Sequence, residues 1–437
     1  MVTSGAARAH QIEEPSGTRW TALQRWAFRV AFVYFVLDAL PDLLLRLPGR
    51  RFGGQFLLVL YWKIWNPVLP WFGRYILHVR NPGSLPLPTG PVLLGDFAGG
   101  YVLMLLFLIL GFVVATLWTV ADQHRGDYRS LHYWLRVYVR YALACSMLGY
   151  GLSKLFPLQF VPPRLVDLLT PMGTLEPRKL LWLFMGFSRP YQVFTGLVEC
   201  VGVALLFWRR TTLLGSLLLI GAAGNVLMMD ISYGMTVRRI ALRLLLMAVF
   251  LAAPDVRRLA NFFLRHLPVT AGDIEGPSWK GVWTRRFALA LKAAVILYIV
   301  TPELIQESND PRLLAPPRPA LYGVYKVQRF LRNGQESSPD DSSTWQSIAV
   351  DEQGMAVQLS GMNWQRLATV FDDAKQSITI SNGPRRKNSL TYSHAGPDDI
   401  LVKGVLDNQP AEILLHRVPE PRFTLNDPVA MHWPSIW

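Results

Sequence analysis

Cysteine is scarce in this chain: Cys145 and Cys200 are the two in 437 residues, and each sits inside an apolar run with no cysteine neighbour. A disulfide framework and a cysteine-type zinc site are excluded, and without a Cys-x-x-Cys pair the usual thiol-exchange machinery is missing. The eight histidines are scattered and show none of the His-x-x-His, His-x-x-x-His or Glu-x-x-His spacings that bring two ligands to one helix face, so no metal centre is expected. Phosphate loops are lacking too, since neither Gly215-Ser216 nor Gly221-Ala222-Ala223-Gly224 is followed by Lys-Ser/Thr; such small-residue runs suit close helix packing in lipid. Charge is thin. With 17% charged residues, 51% hydrophobic residues and a mean hydropathy of +0.24, the composition is too apolar for a protein surrounded by water.

The charge that is there is unevenly placed. Residues 320–437 hold 11 Lys+Arg against 13 Asp+Glu, whereas residues 1–319 hold 33 against 17. The basic excess therefore lies wholly in the apolar part, clustered at the ends of hydrophobic runs as Arg50-Arg51, Arg209-Arg210, Arg238-Arg239 and Arg257-Arg258. Arginines so placed meet lipid headgroups. No basic stripe is interleaved with stacking aromatics, so the expected partner is a lipid bilayer and not a nucleic acid.

A bilayer core of roughly 30 Å takes about 20 apolar residues of helix. Seven segments read as spans: 27–46, 99–120, 134–155, 190–208, 212–230, 238–253 and 286–301. Residues 55–78 have the length but carry two prolines, a lysine, an arginine and three tryptophans, and they read as an interfacial or re-entrant pair of short helices. About twenty-six mostly polar residues precede the first run, which is therefore expected to stay as an anchor and not to be cleaved as a signal. The Arg209-Arg210 turn and the arginine-rich stretch 257–286 fall on one side, taken as cytoplasmic; this places the N-terminus inside and the C-terminal domain outside.

After residue 301 the texture changes. A Pro-rich linker (310–320) leads into short alternating runs, YGVYKV, SIAV, GMAVQL, WQRLATVF, SITIS, NSLTYS, DILVKGV and AEILLHRV, at roughly ten-residue spacing. Turn residues separate them, among them Asn382-Gly383-Pro384, Gly396-Pro397-Asp398 and Asp407-Asn408. The expected fold is an all-α transmembrane bundle of about seven spans plus a C-terminal soluble all-β domain, a meander, sandwich or barrel. Its layout is an N-terminal membrane extension (1–125), a core with the final span (126–309), the linker and the β domain (321–437). His394, His416 and His432 with Ser393 and Asp398 or Asp399 suggest a catalytic trio, but nothing places the serine on a nucleophile elbow.

Ionisable groups at membrane depth cost several kcal/mol unless paired or wetted, so they mark candidate sites. Steps of three and four along 134–155 link Arg136, Arg140, Met147, Gly151 and Lys154, with Tyr150 beside that line. The next span holds Glu199 near its middle, the following one Asn225 and Asp230 with Tyr233 after it, and Arg239 and Arg243 open the span after that. Glu199 is either a structural ion pair with Arg140, Lys154 or Arg243, or a carboxylate that holds or passes a proton. Arg140, Tyr150, Lys154, Gln159, Glu199, Asn225, Asp230, Tyr233 and Arg239 are the candidates for a polar pocket.

The stretches LRVYVRYALACSMLGYGLSKLFPLQF, LLWLFMGFSRPYQVFTGLVECVGVALLFWRRTTLLG and NVLMMDISYGMTVRRIALRLLLMAVFLAAPDVRRL, within about residues 136–265, resemble the DoxX-like family of bacterial four-helix membrane proteins. The likeness is to a longer branch with an N-terminal extension and a C-terminal β domain; where that branch often ends in an Arg-Gly-Phe-His-Trp motif, this chain has PVAMHWPSIW. The resemblance implies a bacterial plasma-membrane protein and a four-helix core. It also implies kinship with membrane subunits that pass electrons from thiosulfate to quinone, or that partner oxidative-stress complexes. The cofactor is left unassigned, a quinone or a lipid headgroup being the candidate occupants of the pocket and an envelope protein the candidate partner of the β domain. The rival reading is a scaffold whose helices only anchor that domain.

Overall fold

The computed structural model describes residues 20–47, 53–78, 98–269, 281–313, 318–338, 341–359, 364–381 and 387–419. The Arg50-Arg51 pair, the middle of the 257–286 stretch and of the linker, the Asn382-Gly383-Pro384 turn, His432 and the closing PVAMHWPSIW lie outside them. Along the chain come the helices α1 (Ala22–Leu44), α2 (Gly54–Tyr75), α3 (Ala98–Ala121), α4 (Arg129–Leu155), α5 (Leu165–Leu169), α6 (Pro177–Phe187), α7 (Arg189–Leu206), α8 (Thr212–Ser232), α9 (Arg238–Ala252), α10 (Val256–Phe263) and α11 (Val282–Ser308). Nine strands follow: β1 (Gly323–Arg332), β2 (Gln335–Glu336), β3 (Ser347–Asp351), β4 (Gly354–Gln358), β5 (Trp364–Asp372), β6 (Ser377–Ser381), β7 (Lys387–His394), β8 (Asp399–Leu406) and β9 (Gln409–Val418). Packing divides the chain into two compact units, Met1–Gly149 with Val198–Pro302, and Tyr150–Leu197 with Glu303–Trp437.

In the first unit, α1 packs along α3 and α8 along α9. Helix α1 starts on a reciprocal cap, Gln24 N–H to Thr21 Oγ1 and Thr21 N–H to Gln24 Oε1, which satisfies donors that the first turn would leave bare. Close approach of α7 and α8 depends on two glycines: a methyl on Gly202 would lie 2.6 Å from Leu219, and one on Gly215 would lie 2.9 Å from the Gly202 carbonyl. Gly221 and Gly224 instead face open space, so in the second small-residue run it is Ala223, buried, and not the glycines, that packs.

Helices α3, α8 and α11 are long and apolar enough to cross a membrane; α3 has a mean hydropathy of 2.6. The other four segments read as spans are also helical. By length and composition, however, they fall short: the 15 residues of α9 rise only about 22 Å, and α1 and α4 carry Asp38, Asp42, Arg136 and Arg140 within their apolar runs. The expected pair of short helices at 55–78 is one continuous helix, α2, with Pro67 and Pro70 inside it. Proline is tolerated in such a helix when other groups take up the carbonyls it strands. Helix α1 shows how: Pro41 has no N–H for the Leu37 carbonyl, and the Tyr61 hydroxyl donates to that oxygen at 3.0 Å.

In the second unit all eight expected runs are strands, and they close into an eight-stranded antiparallel barrel. Order along the wall is β1-β3-β4-β5-β6-β7-β8-β9, and β9 returns to pair with β1 from Val324↔Val418 to Arg332↔Ala411; β2 is a two-residue extension of the β1 edge. A bulge interrupts the seam between Val327 and Arg329. Two-residue turns at Asn333-Gly334 and Asp407-Asn408 have positive φ at both positions, the backbone that matches strand twist in tight hairpins. Eight strands leave an interior that side chains can fill. Tyr325, Ile348, Met355, Ile380, Leu390 and Ile413 are among those that fill it, leaving an entirely apolar hollow of about 10 Å³, which offers a water molecule no hydrogen-bond partner.

One side of the barrel wall is covered from outside. Leu165 and Val166 of α5 bury Val324, Ala349 and Ala356, so β3 and β4 are shielded on both faces. Alanine at the outward positions lets the short helix come close. Beside this patch, Asp351 is 1% exposed and held by both terminal nitrogens of Arg366 at 3.1 Å, while Asp167 accepts from the Arg164 amide and pairs with Lys179 at 2.7 Å. Burial and the neighbouring Arg366 push the Arg164 guanidinium down from its ordinary value.

Candidate functional site

The helical residues of the first unit concentrate buried charge in two places. On α1, Asp38 and Asp42 lie one turn apart, hence on one face, and both face Arg243 of α9. Arg243 Nε donates to Asp38 Oδ2 at 2.7 Å, one terminal nitrogen donates to the Asp38 carbonyl at 3.0 Å, and the guanidinium also pairs with the Asp42 carboxylate. Asp38 is 8% exposed. Tyrosines ring the cluster: Tyr34, one turn before Asp38, has both Asp38 and Arg243 as charged neighbours, Tyr61 bonds the Leu37 carbonyl, and the Tyr138 hydroxyl donates to Val36 O at 2.9 Å. A single guanidinium thus ties a carboxylate-bearing, proline-interrupted helix to its neighbour.

The second cluster is at the other end of α1. Arg29, 2% exposed, donates to the Tyr128 hydroxyl at 2.5 and 3.1 Å, to Thr119 Oγ1 at 2.5 Å and to the Asp122 carbonyl at 3.1 Å; Tyr128 in turn donates to Asp122 Oδ2 at 2.8 Å. Each of the three nitrogens of this arginine meets an oxygen, which offsets the cost of keeping its charge out of water.

Of the nine pocket candidates, six belong to the first unit. Arg140 is half-buried, reaching Thr212 Oγ1 at 3.4 Å and lying 5.4 Å over the Tyr141 ring. Glu199 on α7 and Asp230 on α8 are buried, at 3% and 5% exposure, and each is engaged by a partner. Asp230 sits in the last turn of α8, where Gly234, at φ +66°, lets the Met235 amide return to the Asp230 carbonyl at 2.9 Å and stop the helix. Tyr233 is half-buried in that stop, and Arg239 lies against Gly100 at the start of α3, where a methyl would be 2.6 Å from its Nε. Asn225 is exposed on the outer side of α8. The other three belong to the second unit: Lys154 is buried and engaged, Tyr150 is half-buried and engaged, and Gln159 accepts from Ser153 Oγ at 3.3 Å.

Arg243, expected as one of three cations for Glu199, is given over to Asp38 and Asp42. That cluster was missed as a site although its signal is legible, two aspartates at i and i+4 in an apolar run. The Arg29 cluster has no such signal, because the partners of Arg29 lie 90 to 99 residues away in the chain. On the barrel, His416 Nδ1 is 2.7 Å from Asp399 Oδ1, while Ser393 lies opposite Leu401 on β7, two strands from His416. Among the described residues no three histidine, cysteine, aspartate or glutamate side chains gather as for a metal ion.

No family model matches the chain. No solved structure matches it either. Over 137 residues, 31% of its length, the chain is 26% identical to the uncharacterized protein YwoB of Bacillus subtilis (strain 168), and the match covers 85% of that protein.

Proposed function

We propose that the chain is a multi-pass protein of a bacterial plasma membrane, in which α1, α3, α4, α7, α8, α9 and α11 span, α2 lies at the interface and the barrel stands on the extracytoplasmic side. Supporting this are the outward surfaces of the apolar helices: Leu117 and Val120 of α3 and Phe287 and Leu297 of α11 are all exposed, and apolar surface of this kind is favourable against lipid and not against water. Within that frame the protein serves as a membrane subunit of a quinone-linked redox or envelope-stress system, and the DoxX-like resemblance supports the same reading.

The observation that carries it is the burial of Glu199 within α7, with Asp230 buried at the end of α8, because a carboxylate kept at membrane depth costs several kcal/mol and is retained where it is used. When protonated, such carboxyls donate to the carbonyl oxygens of a quinone, and when ionised they accept from a quinol hydroxyl; Arg140 and Arg239 can donate to the oxygens of a quinone or of a lipid headgroup. Purifying the full chain from native membranes and identifying the small molecules extracted from it tests the reading. A quinone is expected to co-purify and to be lost in Glu199→Gln and Asp230→Asn; a clean extract from folded protein, with both variants unaltered in redox phenotype, rejects it.

The scaffold reading is favoured by one observation, the filled barrel. An interior packed with side chains and a wall closed by the β1–β9 seam leave the outer wall as the barrel's binding surface. In-cell cross-linking from that wall to one envelope protein, unaffected by Glu199→Gln, is the outcome that selects it.

A further inference from the structure

Helix α8 is buried along one side by Gly215, Ser216, Leu219, Ala223 and Asp230. Along the other, Leu214, Leu217, Gly221, Asn225, Met228 and Ser232 are exposed, and their spacing of three and four residues makes them one continuous stripe. Two features of this stripe are wrong for a surface that faces only acyl chains. Asn225, close to the middle of an apolar helix, presents a carboxamide outward, and an amide facing hydrocarbon without a hydrogen-bond partner costs several kcal/mol. One turn before it, Gly221 has nothing within 4 Å of the place a methyl would occupy, nor has Gly224. That gap admits a helix backbone.

We propose that this stripe is the contact with a second copy of the chain, two α8 helices crossing at Gly221 with the Asn225 amides hydrogen-bonded to each other. The inference rests on the membrane reading given above. A second copy is the favoured occupant because of symmetry. Copies inserted in the same direction can pair only about an axis normal to the membrane, and such a two-fold puts every residue of the stripe at the depth of its own counterpart. Asparagine is self-complementary in that arrangement, with a donor and an acceptor on each side. A stripe repeating at three and four residues is the packing seam of paired helices, and a lone asparagine within one fixes register. Small residues at the crossing let dispersion and the interhelical hydrogen bond act where lipid supplies no hydrophobic drive.

The test uses the full chain in lipid nanodiscs and in native membranes. Dimer fraction is followed by energy transfer between labelled copies as the lipid-to-protein ratio is raised. Asn225→Leu, which makes the stripe more lipid-like and leaves the buried side of α8 untouched, is expected to weaken the dimer by about three- to thirtyfold, the range that interhelical polar contacts span. Asn225→Gln is expected to restore part of the loss, and Gly221→Ile to match the leucine variant. In membranes, Asn225→Cys is expected to cross-link between copies while Ser216→Cys does not. A wild-type chain that remains in the bilayer as a monomer, or an Asn225→Cys cross-link to a different protein, overturns the proposal while leaving the membrane reading standing. Release of the chain by alkaline carbonate overturns both.

Discussion

At the scale of single residues, the strongest commitment is Arg243. Its guanidinium is the described partner of both Asp38 and Asp42, and removing one member of a buried charge cluster strands the others without solvent. Arg243→Met is expected to cost about 3–5 kcal/mol in thermal or denaturant unfolding of the detergent-solubilised chain, and the triple replacement with Asp38→Asn and Asp42→Asn to recover most of it. Tyr61→Phe is a milder case. It leaves the Leu37 carbonyl, already denied a partner by Pro41, without its donor, an expected loss of about 1–2 kcal/mol in the same assay. Proline in α1 was legible as an interruption, but its repair was not, because the hydroxyl that supplies it comes from a different helix. The same holds for Arg29 and Tyr128.

At the scale of elements, the β runs were legible almost residue for residue, because turn chemistry and alternation act over a few positions: Asp407-Asn408 turns where two positive φ values are needed, and β8 and β9 follow from it. What alternation could not reveal was the outer cover. Ala349 and Ala356 look like ordinary apolar members of SIAV and GMAV, yet they point away from the barrel interior and are buried by α5, a five-residue helix that no periodicity announces. Ala356→Leu is expected to force α5 away at about 1–3 kcal/mol without disturbing the interior, read as a red shift in the fluorescence of Trp364, which packs against the same patch. The barrel also carries a pH signature. Tyr325 and Tyr392 are held above the ordinary phenol value of 10.0, by burial first and, for Tyr392, also by its bond to Asp373. The unfolded chain then releases these protons before the folded one does, so the stability they confer is complete below pH 10 and falls as pH rises through their folded values. Denaturation midpoints followed between about pH 9 and 11 should decline, and Tyr392→Phe should flatten the decline.

At the scale of the whole molecule, composition read as that of a membrane protein, alternation with turn residues marked the β domain, and hydropathy found the helices. Of the seven runs it read as spans, α3, α8 and α11 are the helices long and apolar enough to cross among the described residues, and charges such as Asp38 and Arg243, which neutralise each other within the fold, count against a span when read one at a time. Nor did the chain order show that residues 150–197 belong with the barrel in one compact unit. A fragment limited to residues 318–419 would bare Val324, Ala349 and Ala356. Such a fragment is expected to self-associate, and size-exclusion chromatography should show Ala349→Lys with Ala356→Glu returning it to a monomer.

The seam of the barrel bears on how the protein is made. Val324 must find Val418, the far end of the same domain, before either outermost strand is satisfied. Until that late encounter the nascent sheet is an open ribbon with two adhesive margins, each able to recruit a neighbouring polypeptide. Maturation speed, and the need for an escort during it, would then be governed by a single zippering event between the first long strand and the last.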